Sequence, residues 1–356
     1  MTKLNEKRLI NDVRCLALDM IHEAGSGHPG IALGAAPLLY TLFTYHLNID
    51  LNKSNWCNRD RFVLSCGHAS SLLYALEFFV DESKYNLNDL KNYRNIYSKT
   101  PGHPEYNLEN KIDVTTGPLG EGVATAVGMA MAGKYLESYY SDKKSSLFDY
   151  YVYAMVSDGD LMEGVSYEAA CLAAQYQLDN LILLYDCNGV SLDGEIDENY
   201  IDSIANVYAD IGFATYYVKN GESVKEINKA INAAKRASGP AIVIVNTTIG
   251  KCSKYEGTNK IHGTLENDDY LEIKKELGHE EKWEYDKNNT AMYRQEIKNR
   301  LEDNYKDWFN LYEEFSANLD EKQKNTLNSI INNESITLQL DKVIDMDKLF
   351  TDRDLR

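Results

Sequence analysis

Apolar positions recur early in the chain at Leu9, Val13, Leu16 and Met20, at spacings of four, three and four. That spacing lays one apolar stripe along an α-helix, and Gly25 supplies its stop. A second helical run covers about 33–47, and "ASSLLYALEFF", 69–79, predicts a third. Between them "RFVLS", 61–65, reads as a short strand. A further helix begins near Glu121.

From residue 151 onward, unbroken apolar runs alternate with helical ones. "YVYAMVS", "NLILLYD", "ATYYV" and "PAIVIVNTT" predict strands. "EGVSYEAACLAAQYQ", residues 201–211 and "SVKEINKAINAAKRA" predict the helices between them. A strand that is apolar throughout has both faces covered. The expected fold is therefore α/β, a doubly wound, mostly parallel sheet with helices on both faces. After about residue 264 the pattern becomes densely charged, and 289–317 and 320–333 read as polar amphipathic helices. The expected division is a main domain over 1–264, a helical extension over 265–335, and a linker over 336–356 toward a further domain.

Composition narrows the partners. The 356 residues carry 55 acids against 37 bases, a net charge of -18. Such a chain repels a phosphate backbone, which argues against nucleic acid. No apolar run reaches the ~20 residues of a membrane span. The start, "MTKLNEKRLINDVRC", lacks the apolar core of a signal peptide. Six cysteines lie scattered with no CxxC pair, so reduced thiols and a cytoplasmic location are expected.

The strand "YVYAMVS" runs straight into "DGDLMEG". Ligands of open α/β sheets bind beyond the carboxyl ends of the strands. Asp158 sits at one such end, and Asn188 in "YDCNG" sits at the next, 30 positions on. That distance fits one strand-helix-strand unit, which brings both oxygen ligands to one edge. With a nearby backbone carbonyl they make half an octahedron for a hard cation such as Mg²⁺, whose shell phosphate oxygens and water complete. Gly159 admits a diphosphate close to the backbone, and the next helix offers it N–H groups. The alternative is that Asp158 and Asp160 are simple helix N-caps.

Seven histidines are present. His28, His68, His103 and His262 lie in glycine-rich loops, where an imidazole held near backbone suits a proton relay or a hydrogen bond to a bound oxygen. A single structural bond is the alternative for each. His22 and His46 read as structural, and His279 as solvent-exposed. "TTGPLGEG", 115–122, adds glycines that let a flat ring or a diphosphate lie against the backbone.

Together "SGHPG", "DRFVLSCGHAS", "SKTPGHPE", "TTGPLGEGVATAVGMA", "SDGDLMEG", "DCNGVSLDG" and "IHGT" resemble the N-terminal thiamine-diphosphate-binding domain of transketolases, in that family's order, over roughly 5–265. The resemblance implies that Asp158, Asn188 and the Val190 carbonyl ligate Mg²⁺, or Ca²⁺ or Mn²⁺ in its place. It implies that Gly159 and His68 contact the diphosphate, and that Gly117, Pro118 and Leu119 meet the aminopyrimidine ring. His262 would lie near diphosphate and substrate, with His28 and His103 on the donor sugar's oxygens. Glu163 would link the two sites of a homodimer.

The implied reaction is transfer of a two-carbon ketol unit from a ketose phosphate to an aldose phosphate. Two positions depart from the family pattern. Ser157 stands where the cofactor motif opens with glycine, and "GTLE" follows His262 where a small residue and proline are usual. The family's second domain, with the glutamate that activates the aminopyrimidine, is not in this sequence. Ketol transfer is thus expected only with that C-terminal part present. The rival readings are a non-catalytic cofactor-binding or assembly fragment, and a related dihydroxyacetone synthase or phosphoketolase.

Overall fold

A computed structural model describes residues 4–142, 145–191, 194–195, 198–263, 265–332 and 334. The expected linker over 336–356 lies outside the described residues. The chain opens with α1 (Glu6–Ala24), stopped by Gly25 in the left-handed conformation at φ 61°. The second helical run is two helices, α2 (Pro29–Gly34) and α3 (Ala36–Tyr45). Next come β1 (Arg61–Leu64), α4 (Ser70–Val80), α5 (Leu87–Lys91) and α6 (Glu121–Tyr139). The alternating region follows as β2 (Val152–Ser157), α7 (Asp158–Met162), α8 (Gly164–Gln175) and β3 (Leu181–Cys187). A small hairpin, β4 (Val190–Ser191) and β5 (Gly194–Glu195), leads to α9 (Glu198–Ile211), β6 (Ala214–Val218), α10 (Val224–Ala234) and β7 (Ala241–Asn246). Last come α11 (Asn267–Glu276), α12 (Lys287–Leu301), α13 (Asn304–Ser316) and α14 (Glu321–Ile331).

The main sheet has the order β1-β2-β3-β7-β6 and is parallel throughout. Side chains alternate between its faces, and each face has its own core. Tyr153, Met155, Ile182, Leu184, Val243 and Val245 pack with α1, α3, α4, α10 and α12. Val152, Ala154, Val156, Leu183, Ile242 and Ile244 pack with α6, α8, α9, α13 and α14. Two covered faces explain why β2, β3 and β7 stay apolar up to the polar residues at their carboxyl ends.

Helix α1 departs from a simple amphipathic stripe. It is buried on nearly every side, and its polar Asp12 and Asp19 are buried too. The segment after residue 265 covers the other side and supplies their partners. Lys274 Nζ donates to both Asp19 oxygens at 2.7 and 2.9 Å, and the Trp283 N–H donates to Asp19 at 2.6 Å. His279, expected in solvent, is instead 1 % exposed. Its Nε2 donates to Asp12 Oδ1 at 2.7 Å, and its Nδ1 faces Cys15 Sγ at 3.1 Å. The charged stretch reads as surface because the α1 partners of Tyr270, Lys274 and His279 lie more than 250 positions away in sequence. The expected helix over 289–317 also divides, breaking at 302–303 between α12 and α13.

Candidate functional site

The register pairs Ser157 of β2 with Asp186 of β3. The segments leaving those strands, with Asp158 and Asn188, therefore emerge side by side at the carboxyl edge. The backbone turns into α7 at Asp158, so the side chain is held below the strand tip. Asp158 is 2 % exposed. One carboxylate oxygen accepts the Tyr185 hydroxyl, and the other, Oδ2, is buried with no protein partner. Burial foremost, with Asp186 adding, pushes this carboxyl up to about 6. An ionised oxygen with nothing to meet it is what a cation relieves.

Asn188 is oriented from both ends. Its Nδ2 donates to Asp186 at 3.0 Å, and its Oδ1 accepts the Val190 N–H at 3.1 Å. A carbonyl oxygen keeps a second lone pair. Asp186 also accepts the Thr247 hydroxyl from the end of β7, and burial pushes its carboxyl up to about 6. Val190 is buried against Ile249 and Ile261. One carboxylate, one amide oxygen and the Val190 carbonyl are hard oxygen donors and suit Mg²⁺, Ca²⁺ or Mn²⁺. Among the described residues no group of three or more His, Cys, Asp or Glu forms a metal centre by itself. A cation held here would therefore complete its shell with ligand and water oxygens.

Asp160 has a different duty. Its Oδ2 accepts the backbone N–H and the hydroxyl of Ser157, at 2.9 and 3.0 Å. Its Oδ1 accepts from Ser65 Oγ at 2.6 Å and from the Gly120 N–H at 3.0 Å. It ties the exits of β1 and β2 to the start of α6. The capping alternative thus describes Asp160, with Ser157 as the cap, while Asp158 is left with a bare oxygen. Ser157 stands in extended backbone at φ -112°, which any residue adopts. The helix expected from Glu163 is α8, and the short α7 precedes it, separated by Glu163 in extended backbone.

The four loop histidines come together. His28 caps α2, and its ring centroid lies 5.1 Å from that of His68. His68 sits in the short turn after β1. A Cβ at Gly67 would stand 3.2 Å from the His103 ring and 2.9 Å from Thr116 Oγ1, so glycine there lets that turn touch both. His262 ends another short turn, its Nδ1 3.1 Å from the Asn259 carbonyl. Burial first, then Arg94, His103 and His262, pull His28 down to about 4. Burial, then His28, His103 and His262, pull His68 down to about 3. Burial and Arg94 lower His103 as well. His28 and His68 are therefore neutral at pH 7, able to donate at one nitrogen and accept at the other. The Nδ1 of His28 is buried without a partner.

Gly117, Pro118 and Leu119 bridge the two groups. Gly117 lies beside the His103 ring, and a Cβ on Gly159 would come within 2.8 Å of Leu119 Cδ1. Glu163 is exposed beside Met162, Val165 and Tyr167, which are exposed apolar residues.

Sequence reasoning passed over Arg94 and Tyr185. Arg94 adopts φ 63°, donates to Ser26 Oγ at 2.8 Å, and presses its charge on two of the histidines. Its left-handed backbone and distance from any periodic run leave no sequence signal. Tyr185 reads only as a strand residue, yet its hydroxyl fixes Asp158.

An open parallel sheet with polar groups gathered at its carboxyl edge marks a ligand-binding α/β domain. The chain belongs to the transketolase family: the family model for the transketolase thiamine diphosphate binding domain matches residues 5–335. It is 43 % identical over 279 residues to a probable transketolase of Streptococcus pneumoniae, covering 78 % of this chain and 42 % of that protein. It is 40 % identical over 311 residues to a transketolase of Staphylococcus epidermidis, covering 86 % of this chain and 47 % of the relative. The transketolase of Pichia stipitis in complex with sedoheptulose-7-phosphate superposes with a TM-score of 0.86 at 34 % identity, over 95 % of this chain and 50 % of that one. The chain therefore spans about half the length of the relatives it matches.

Proposed function

We propose that this chain forms the thiamine diphosphate and divalent-metal site of a transketolase, which moves a two-carbon ketol unit from a ketose phosphate to an aldose phosphate. The observation that carries the reading is the buried, unpartnered Oδ2 of Asp158 beside Asn188 and Val190 at the carboxyl edge. In this reading Asp158, Asn188 and the Val190 carbonyl hold Mg²⁺, and the metal neutralises the diphosphate in an otherwise acidic protein. When bound, the cofactor supplies the carbon nucleophile and stores the electron pair of the broken bond.

The protein's own groups orient and move protons. Gly159 lets the diphosphate approach the backbone, and His68 donates to it. Gly117, Pro118 and Leu119 offer backbone to the flat aminopyrimidine. His28, His103 and His262 exchange protons with the sugar's hydroxyl and carbonyl oxygens, and a neutral His28 does so without a charge to desolvate. The sugar-phosphate class is supported by the relative that was crystallised with sedoheptulose-7-phosphate.

A homodimer is proposed through the exposed apolar residues around Glu163, among them Met162 and Val165, where Glu163 is itself exposed. The companion reading, a module that binds cofactor and turns nothing over alone, rests on the chain's spanning half of its relatives.

Calorimetric titration with thiamine diphosphate, with and without Mg²⁺, tests the site. Saturable, Mg²⁺-dependent binding that disappears in Asp158→Ala is expected; unchanged affinity in the variant would place the metal elsewhere. Turnover of xylulose 5-phosphate with ribose 5-phosphate, by the chain alone and with a transketolase C-terminal part added, then separates the two readings.

A further inference from the structure

Lys111 adopts φ 60°, a left-handed backbone that favours glycine. It is the last residue of the turn closed by the paired Asn107 and Ile112, and its N–H donates to the Leu108 carbonyl at 3.1 Å. The side chain points inward, 8 % exposed, and Nζ is buried with no protein partner. Across from it, on α4, Glu77 is 3 % exposed and its Oε2 is also buried without a partner. A strained backbone that delivers a buried ammonium toward a buried carboxylate asks for a reason.

Both side chains line a cavity of about 20 Å³, together with Pro104, Arg59, Asp60 and Asp113. The other charges there are satisfied. Arg59 forks onto Asp113, and Asp60 accepts the Asn48 and Tyr151 N–H groups at 2.8 Å. Asp81 and Lys84 act on both Glu77 and Lys111 from the far end of α4. After burial, Lys111 is the strongest influence on Glu77, and Glu77 on Lys111. The cavity exceeds the roughly 10–15 Å³ that one water requires. A water accepts from an ammonium and donates to a carboxylate, so it satisfies both orphans at once.

We propose that a single buried water joins Glu77 Oε2 to Lys111 Nζ, and that this bridge is a latch setting the loop that carries His103. Helix α4 holds that loop at two points. At one, Ser70 Oγ donates to the Gly102 carbonyl at 2.7 Å, one residue before His103. At the other, the bridging water would join Glu77 to Lys111 across the cavity that both line. Pro104, one residue after His103, lines the cavity and accepts the Thr116 N–H at 3.1 Å. Lys111 and Glu77 are thus positioning residues, and that role rests on the reading of His103 as a site residue. The water bridge itself does not.

A double-substitution cycle on the chain tests the bridge. Lys111→Gly relieves the backbone but leaves Glu77 buried without its cation, so Tm falls. In a Glu77→Leu background the same substitution only relieves the backbone, so Tm rises. Equal shifts in both backgrounds overturn the bridge, as does a crystal structure with a dry cavity. If Glu77→Leu does not fold, Glu77→Gln replaces it, and the loss from Lys111→Gly should shrink to less than half. The second readout is the His103 ring, followed by NMR titration. Its midpoint should move toward the ordinary histidine value by about half a pH unit or more in Lys111→Gly. A midpoint unchanged from the parent chain overturns the coupling to His103, whatever the cycle shows.

Discussion

Asp158 and Asp160 stand two positions apart and do opposite things. Asp160 receives four hydrogen bonds from three segments, while Asp158 keeps a buried oxygen bare. Replacing Asp160 by Asn should therefore cost stability with or without ligand. Each buried charge-assisted bond is worth about 1.5–3 kcal/mol, and an amide cannot accept at both positions. A urea midpoint unaffected by Asp160→Asn would contradict this. The histidines make a pH prediction. Folded His28 and His68 titrate near 4 and 3, below the ordinary 6.5. The unfolded chain therefore takes up protons first. Their contribution is full above pH 6.5 and is lost as pH falls toward those folded values. At pH 5 each should account for about 1–2 kcal/mol of lost stability, discounted for partial exposure of His28. Denaturation midpoints at pH 7 and 5 should show the loss, and the His28→Asn, His68→Asn variant should show a flatter slope.

At the scale of elements, the seam between α1 and the segment after 265 is polar and buried. Asp19 accepts from Lys274, Tyr270 and Trp283 at once. Asp19→Ala leaves the Lys274 ammonium, itself 1 % exposed, without its carboxylate. Removing one partner of such a pair costs about 3–5 kcal/mol. The loss should appear as a lower urea midpoint with protease cutting first in α11. The Asp19→Leu, Lys274→Met variant should recover most of it, because the paired removal leaves no buried charge.

At the scale of the molecule, Val165, Leu172 and Tyr176, at spacings of seven and four, share one face of α8 and its C-cap, and each is exposed. Single exposed apolar residues are ordinary, but three on one helix face are a candidate contact surface. Leu172→Glu should shift sedimentation from dimer toward monomer while Tm in the absence of partner stays within a few degrees. A parent chain that sediments as a monomer at high concentration would remove the surface from consideration.

Apolar periodicity by itself determined the parallel sheet, its helices and the strand ends where ligand groups gather. Unbroken apolar runs have one stable solution, a sheet covered on both faces. The 30-position interval between Asp158 and Asn188 was legible for the same reason, since one strand-helix-strand unit has a fixed length. The four glycine-flanked histidines were visible as loops feeding one sheet edge, though not which rings would touch. Tertiary structure alone decided which polar atoms meet. It buried His279 against Asp12, aimed Arg94 at the histidines, set Tyr185 on Asp158, and put Lys111 and Glu77 on the walls of one cavity. Periodicity records which side of an element avoids water. It carries no record of which charge, tens or hundreds of residues away, will be brought to a buried polar atom.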